Sequence, residues 1–399
     1  MEFEQHALKS KKILSNQSIA LFILAIILFA TILRTPLTVV GPVIPSIREG
    51  LGISNVLAGF LTTIPLLAFG VVSPFAARIA RKFGMESTLF YSVILLCVGV
   101  LLRSVGATYT LVLGTVLIGV AIAFGNVLMP SFLKLKFPLH IGLLTGVYTV
   151  SMNITAGLAA GFSQPIASSI NWQIALGFPI LLGVCTLLIW IMLLRDQKVE
   201  PIAVSKHVPK RKMSKAPLAW AIAIAMGLQS LIFYCCTAWL PDIYINQGLN
   251  AETAGWMGSI MQLSQIPMTF LIPIIASKLN NQRPIVIFFT ICYLIGFVGV
   301  WMEWTSLAVL WMIFLGFAGG ASFGLVLMFF TLRTKTAFEA AELSGFAQSI
   351  GYFVAAVGPV LFGYLHDQAG SWSLPLLLFI MISVLLFVAS FVSAKNRYV

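Results

Sequence analysis

The chain has 399 residues, 59% of them hydrophobic and only 9% charged, with mean hydropathy +1.01. Soluble domains run about a quarter charged, so this composition belongs in a lipid bilayer. The formal net charge of +12 does not point to nucleic acid, because the basic residues fall in short clusters between apolar runs, as topology signals do.

Strands of a membrane barrel alternate polar and apolar over about 10 residues. The apolar runs here reach twenty residues and more, which is helix length for a bilayer. Twelve spans are expected in chain order: 19–43, 55–77, 87–106, 109–133, 141–165, 173–194, 217–240, 251–276, 285–302, 306–330, 343–365 and 372–393. Residues 1–18, with Lys9, Lys11 and Lys12, read as a cytoplasmic tail; the first apolar run is too long, and lacks the small-residue site, for a cleaved signal peptide. The longest connection, 195–216, carries seven basic residues against Asp196 and Glu200. It divides a six-helix bundle at 19–194 from a second at 217–393, with a short tail at 394–399. An even number of spans puts both termini on one side. Of the 24 lysines and arginines, 21 fall in the tails and loops of that side, so both termini are expected in the cytoplasm.

The two halves resemble one another. Pro45-Ser46-Ile47 and Ala58-Gly59 recur as Pro241-Asp242-Ile243 and Ala254-Gly255. Gly125-Asn126-Val127-Leu128-Met129 recurs as Gly324-Leu325-Val326-Leu327-Met328, and Leu144-Thr145-Gly146 as Leu343-Ser344-Gly345, with Lys134 and Lys136 matched by Arg333 and Lys335. Four matches in order at offsets of 196 and 199 make a parallel repeat, whose pseudo-two-fold axis runs along the membrane normal. The expected fold is an all-α membrane protein of twelve transmembrane helices in two six-helix pseudo-symmetric bundles, the major facilitator arrangement. In that arrangement the solute sits between the halves near mid-bilayer.

Arg34 interrupts the first span. A charge near mid-bilayer costs ~2.5–3.5 kcal/mol on insertion scales. The twelve acidic residues all lie in tails, loops or span ends, and His6, His140, His207 and His366 lie at the edges too. Arg34 therefore has no acidic partner at its depth. Two readings fit: it awaits an anion, for which its planar guanidinium is suited, or it snorkels and ties the first helix to a neighbouring carbonyl. Further polar groups near mid-span are Thr38, Asn126, Tyr148 and Asn153 in the first half. In the second half they are Gln229, Tyr234, Gln262, Gln265, Gln348 and Tyr352. Gln262 and Gln265 share a helix face, as do Gln348 and Tyr352. Interhelical hydrogen bonding is the plainer role for each of them; around Arg34 they form the candidate substrate-binding set.

The five cysteines lie inside apolar runs without metal-type spacing, so no metal is expected, and no cofactor. No zinc motif, phosphate-cradling loop or serine elbow is present, which argues against an enzyme.

Several stretches together resemble the cyanate and 2-nitroimidazole transporter group of the major facilitator superfamily. They are Leu33-Arg34-Thr35-Pro36-Leu37-Thr38 through Pro45, Gly125-Asn126 to Pro130 with Leu133-Lys134, Phe137-Pro138, Gly142 to Tyr148, Leu343 to Gln348 through Gly351-Tyr352, and Leu365-His366-Asp367 with Gly370-Ser371-Trp372. The superfamily's loop motif between spans two and three falls on residues 77–86, with Arg78, Arg81, Lys82 and Gly84 as its gating candidates. It is only partly kept: Arg81 stands at the acidic position and Met85-Glu86 at the trailing basic pair, so the ion pairs that the acid would make are in doubt. The resemblance implies a carrier of the bacterial inner membrane, monomeric, for a small anionic or dipolar solute such as cyanate or a nitro-heterocycle. Proton coupling, exchange and facilitated diffusion all stay open. Two rivals remain: an exporter of neutral or acidic drugs on the same fold, and a membrane sensor that transports nothing.

Overall fold

The computed structural model describes residues 16–196 and 213–399; the expected tail up to residue 15 and the middle of the expected linker, 197–212, lie outside the described residues. Fourteen α-helices form among the described residues. In the first half they are α1 (Asn16–Thr38), α2 (Val40–Leu51), α3 (Asn55–Phe83), α4 (Met85–Arg103), α5 (Thr108–Lys136), α6 (Ile141–Ser169), α7 (Trp172–Gly177) and α8 (Pro179–Asp196). In the second they are α9 (Pro217–Asn246), α10 (Ala251–Lys278), α11 (Arg283–Trp301), α12 (Ala308–Leu332), α13 (Ala337–Ala369) and α14 (Ser373–Ser393). Among the described residues, twelve stretches are long and apolar enough to cross a membrane, matching the twelve expected spans.

Local chemistry sets the helix ends. The Asn171 side chain accepts from the Ile174 N–H at 2.8 Å and starts α7. Asn250 does the same for α10 through the Thr253 N–H, at 2.8 Å. Thr336 and Glu339 cap α13 reciprocally, each satisfying a backbone N–H that the first turn leaves spare. Gly52 and Gly370 adopt left-handed φ of 62° and 64° and stop α2 and α13, a conformation that costs glycine nothing.

The first span is longer than the expected 19–43. After a break at Val39 the chain resumes as α2 and continues to Leu51. Pro42 falls in the first turn of α2, where its missing N–H had no helical carbonyl to reach. In this longer rod Arg34 sits at the midpoint rather than beyond it.

Two seams join the halves, α6 against α10 and α3 against α13. In the first, Thr149 donates to the Thr269 carbonyl at 2.8 Å. In the second, Ser349 donates to the Gly70 carbonyl at 2.6 Å. The corresponding members of the two seams, Thr149 with Ser349 and Gly70 with Thr269, lie 200 and 199 apart in the chain, the spacing of the sequence repeat. Glycine makes both seams close. A Cβ on Gly146 would come within 2.7 Å of the Phe270 carbonyl oxygen, and one on Gly345 within 2.5 Å of that of Ser73. Small residues at such crossings let backbones approach and gain dispersion contact where the lipid supplies no hydrophobic drive.

The halves meet tightly only toward the end that carries the basic clusters. There Lys134 donates to the Thr331 carbonyl at 2.7 Å and to the Thr334 hydroxyl at 3.0 Å, crossing from α5 to the end of α12. Arg81 pairs with Glu342 at 2.7 Å, from α3 to α13. Toward the opposite end the same helix faces diverge: Gly157 and Gly161 on α6, and Gly255 and Gly258 on α10, have nothing within 4 Å of a built Cβ. The molecule is sealed at its basic end and open at the other.

Candidate functional site

Where the seal ends and the mouth begins, the two bundles enclose a small cavity. Its first-half wall is Arg34 on α1 and Asn153 on α6. Its second-half wall is Gln229, Ser230, Phe233 and Tyr234 on α9, Gln265 on α10, Gly319 and Phe323 on α12, and Tyr352 on α13. The chain is helical at every one of these positions, so helix spacing alone decides which side chains turn inward. Gln229, Ser230 and Phe233 follow at i, i+1 and i+4 on α9, while the flanking Ile232, Cys235 and Cys236 pack into the core.

Arg34 is half-buried, and its guanidinium lies 5.8 Å from the ring centres of both Phe233 and Phe323. Among the described residues it makes no hydrogen bond and no ion pair to protein. A cation over an aromatic face gains ~0.5–2 kcal/mol, more as water is withdrawn, which offsets only part of what a lone charge loses at this depth. The hydroxyls of Tyr148, Tyr234 and Tyr352 lie within electrostatic reach of it.

Most of the other polar groups are already engaged. The Gln229 amide donates to the Ser230 hydroxyl at 2.7 Å. The Asn153 amide donates to the Thr269 hydroxyl at 3.3 Å across the α6–α10 seam. The space left in the middle is about 20 Å³, room for about one water. The empty site is collapsed on its own side chains.

Of the eleven expected binding residues, Arg34, Asn153, Gln229, Tyr234, Gln265 and Tyr352 line this cavity. Tyr148 is buried just behind Arg34. Thr38 instead bonds back to the Arg34 and Thr35 carbonyls of its own helix, at 3.3 Å each. Asn126 presents its backbone carbonyl to the Gln348 amide at 3.0 Å, and Gln348 also donates to Ser344 at 2.8 Å, so this pair ties α5 to α13 below the cavity. Gln262 is exposed, about two turns before Thr269 on α10, where the mouth has opened. Ser230, the second-half position that matches Arg34 at an offset of 196, also lines the cavity, and so do Phe233, Phe323 and Gly319, which no sequence signal marks; a phenylalanine in an apolar run carries no mark of which way it faces.

Among the gating candidates, Arg81 makes the cross-bundle ion pair with Glu342 and lies 5.8 Å from the Phe338 ring. Arg81, at the motif's acidic position on α3, thus meets an acid on α13. Lys82 lies over Phe83, 5.1 Å from its centre, and Arg78 is exposed. Gly84, at φ 88°, makes the turn into α4, and Glu86 in the first turn of α4 pairs with Lys136 at 2.5 Å.

Comparison with known proteins agrees with this architecture. The sequence profile of the Major Facilitator Superfamily matches residues 20–359. The "Uncharacterized transporter YycB" of Bacillus subtilis (strain 168) is 43% identical, covering 94% of each chain. The "2-nitroimidazole transporter" of Escherichia coli (strain K12) is 36% identical over 96% of this chain and 98% of its own. The "Cyanate transport protein CynX" of the same strain is 27% identical over 88% and 91%. Among solved structures, the proton:xylose symporter XylE superposes with TM-score 0.77 at 13% identity, over 93% of this chain and 94% of that one. The transporter FucP gives 0.75 at 12%, over 94% and 98%. At those identities the likeness speaks for the fold.

Proposed function

Because this chain belongs to the Major Facilitator Superfamily, and is a small-solute transporter rather than an enzyme, we propose that its cargo is a small anionic or polar planar solute that takes Arg34 as counter-charge. The observation that carries this reading is the guanidinium itself: central in the bilayer, facing the gap between the bundles, and without a carboxylate beside it. Its partners in the second half are amides, hydroxyls and aromatic faces, which orient a planar solute by hydrogen bonding and stacking. The two relatives named for cyanate and 2-nitroimidazole are consistent with such cargo. The basic end faces the cytoplasm of a bacterial inner membrane by the positive-inside rule. A monomer works by alternate opening of the two ends about the Arg34 cavity, the rocking of halves typical of parallel repeats. Acidic side chains among the described residues sit at helix ends, so any proton coupling travels with the solute rather than through a buried carboxylate relay.

Purified protein in detergent, screened by thermal shift against cyanate, 2-nitroimidazole and benzoate, tests the reading, followed by uptake of the stabilising compound into proteoliposomes. Arg34→Ala and Arg34→Gln lose both the shift and uptake by roughly tenfold or more, the loss of a charge-assisted contact of ~1.5–3 kcal/mol. Arg34→Lys keeps the charge but not the planar fork and recovers part. Full uptake by Arg34→Ala overturns the anion reading.

A second reading, export of neutral or acidic drugs, draws on a different observation. An apolar cleft of about 570 Å³ opens between α3 and α13, walled by Leu67, Phe353, Val357 and Val360. Its apolar, exposed walls suit lipophilic solutes. Drug accumulation in cells with and without the protein separates the two readings.

A further inference from the structure

Among the described residues, the two aromatic faces that Arg34 lies over both belong to the other half of the molecule. Phe233 on α9 and Phe323 on α12 each stand 5.8 Å from its guanidinium carbon, while Arg34 rides on α1. A carrier working as a uniporter or symporter must return empty, and returning empty means closing the gap around Arg34 with no solute in it. A guanidinium stripped of water and left unpaired is costly to bury. We propose that Phe233 and Phe323 stand in for the solute during that empty return, receiving the Arg34 charge on their faces so that the unloaded bundles can close.

Three features support this. The cavity is already reduced to about 20 Å³, room for about one water, so the rings and the guanidinium take up most of the empty site. The rings and the cation come from opposite bundles, so their attraction is spent across the gap that closes rather than inside one bundle. A cation–π contact also strengthens as water leaves, from the exposed to the desolvated limit. It therefore favours the closed passage over either open state, which is what a rate effect requires. The inference rests on Arg34 being the solute's counter-charge only for what displaces the rings; the empty return can be observed with no solute present.

The test is single-molecule fluorescence transfer on the full chain in lipid nanodiscs. Fluorophores are placed at Ser169→Cys on α6 and Asn246→Cys on α9, both at the open end, with the exposed Cys185 changed to Ser. Without any solute, Phe233→Leu with Phe323→Leu keeps apolar bulk and removes both ring faces. Dwell times in each state then lengthen about fivefold to tenfold, the difference between an exposed and a desolvated cation–π contact read as a rate. Phe323→Tyr, which keeps a ring face, leaves them within about twofold. Adding Arg34→Gln to the ringless chain removes the charge, and the dwell times return to those of Arg34→Gln alone. Unchanged dwell times in the ringless chain overturn the proposal, and so does a lengthening that persists when Arg34 is Gln, because that effect is packing and not charge. If the double variant does not fold, Phe323→Leu alone carries the same comparison. A ring effect that appears while cyanate, 2-nitroimidazole and benzoate all fail to bind overturns the cargo reading and leaves this one standing.

Discussion

Three arginines sit where water is scarce, and what their guanidiniums touch sorts them by role. Arg103 is buried at the end of α4 and donates to the Pro36 carbonyl at 2.6 Å and the Leu176 carbonyl at 3.1 Å, so it fastens α1 and α7 to α4. Arg333 donates to the Ser393 and Ala394 carbonyls at 2.8 Å each, and to the Gln282 side chain. Burial pulls its pKa down to about 10, still far above neutrality, so it stays charged. Arg34 alone of the three has no oxygen. The sequence identifies Arg34 because a charge inside an apolar run stands out. It hides the other two, since an arginine at a span end looks the same whether it reaches out to headgroups or folds back onto carbonyls. Arg103→Met should lower the melting temperature by about 5 °C or more, because two buried carbonyls lose charged donors, while Arg34→Gln should leave it nearly unchanged. Thermal unfolding of the purified variants in one detergent checks both, and equal losses would remove the distinction.

At the scale of elements, the seams follow from the repeat. The sequence anchors Leu144-Thr145-Gly146 and Leu343-Ser344-Gly345 turn out to be where α6 and α13 press against α10 and α3. Repetition is legible there because a close helix crossing tolerates few residue types, so both halves keep the same ones. The break at Val39 and the run-on of α2 are not legible, since Pro36, Pro42 and Pro45 permit a stop, a kink or a continuation alike. The latch between Arg81 and Glu342 is legible only as an anomaly, an arginine where the related motif has an acid. Both side chains are roughly a quarter exposed, so the pair contributes ~1 kcal/mol or less. Arg81→Glu should loosen the basic end through like-charge repulsion, raising the labelling rate of the buried Ser344→Cys by about threefold to fivefold. The exchanged pair, Arg81→Glu with Glu342→Arg, should bring that rate back to near its starting value. Failure of the exchange to restore it would mean that the pair does not hold the halves together.

For the whole molecule, the informative asymmetry runs along one helix face. On α6, Gly142, Gly146, Thr149, Asn153, Gly157 and Gly161 recur at helix spacing, yet the basic-end members are in close contact and the others touch nothing. A face made of residues suited to close packing, with only half of it packed, is what a two-state seam should look like. The unpacked half is the part that closes when the basic end opens, because the bundles are stiff and can pivot only about the contact that persists between them. Single cysteines at Gly157 and Gly258 should therefore react with a membrane-impermeant maleimide added outside intact cells, while Ser344→Cys should not. Gly345→Val places a branched side chain against the Ser73 carbonyl, 2.5 Å from where its Cβ must sit, and the sealed end cannot form around it. In that background the pattern should reverse: Gly157→Cys protected by at least about fivefold, a bias of ~1 kcal/mol between the two states, and Ser344→Cys exposed from the cytoplasmic side in inverted vesicles. If Gly157→Cys stays equally reactive in both backgrounds, that face looks onto lipid or solvent in every state, and the two ends are not coupled through this seam.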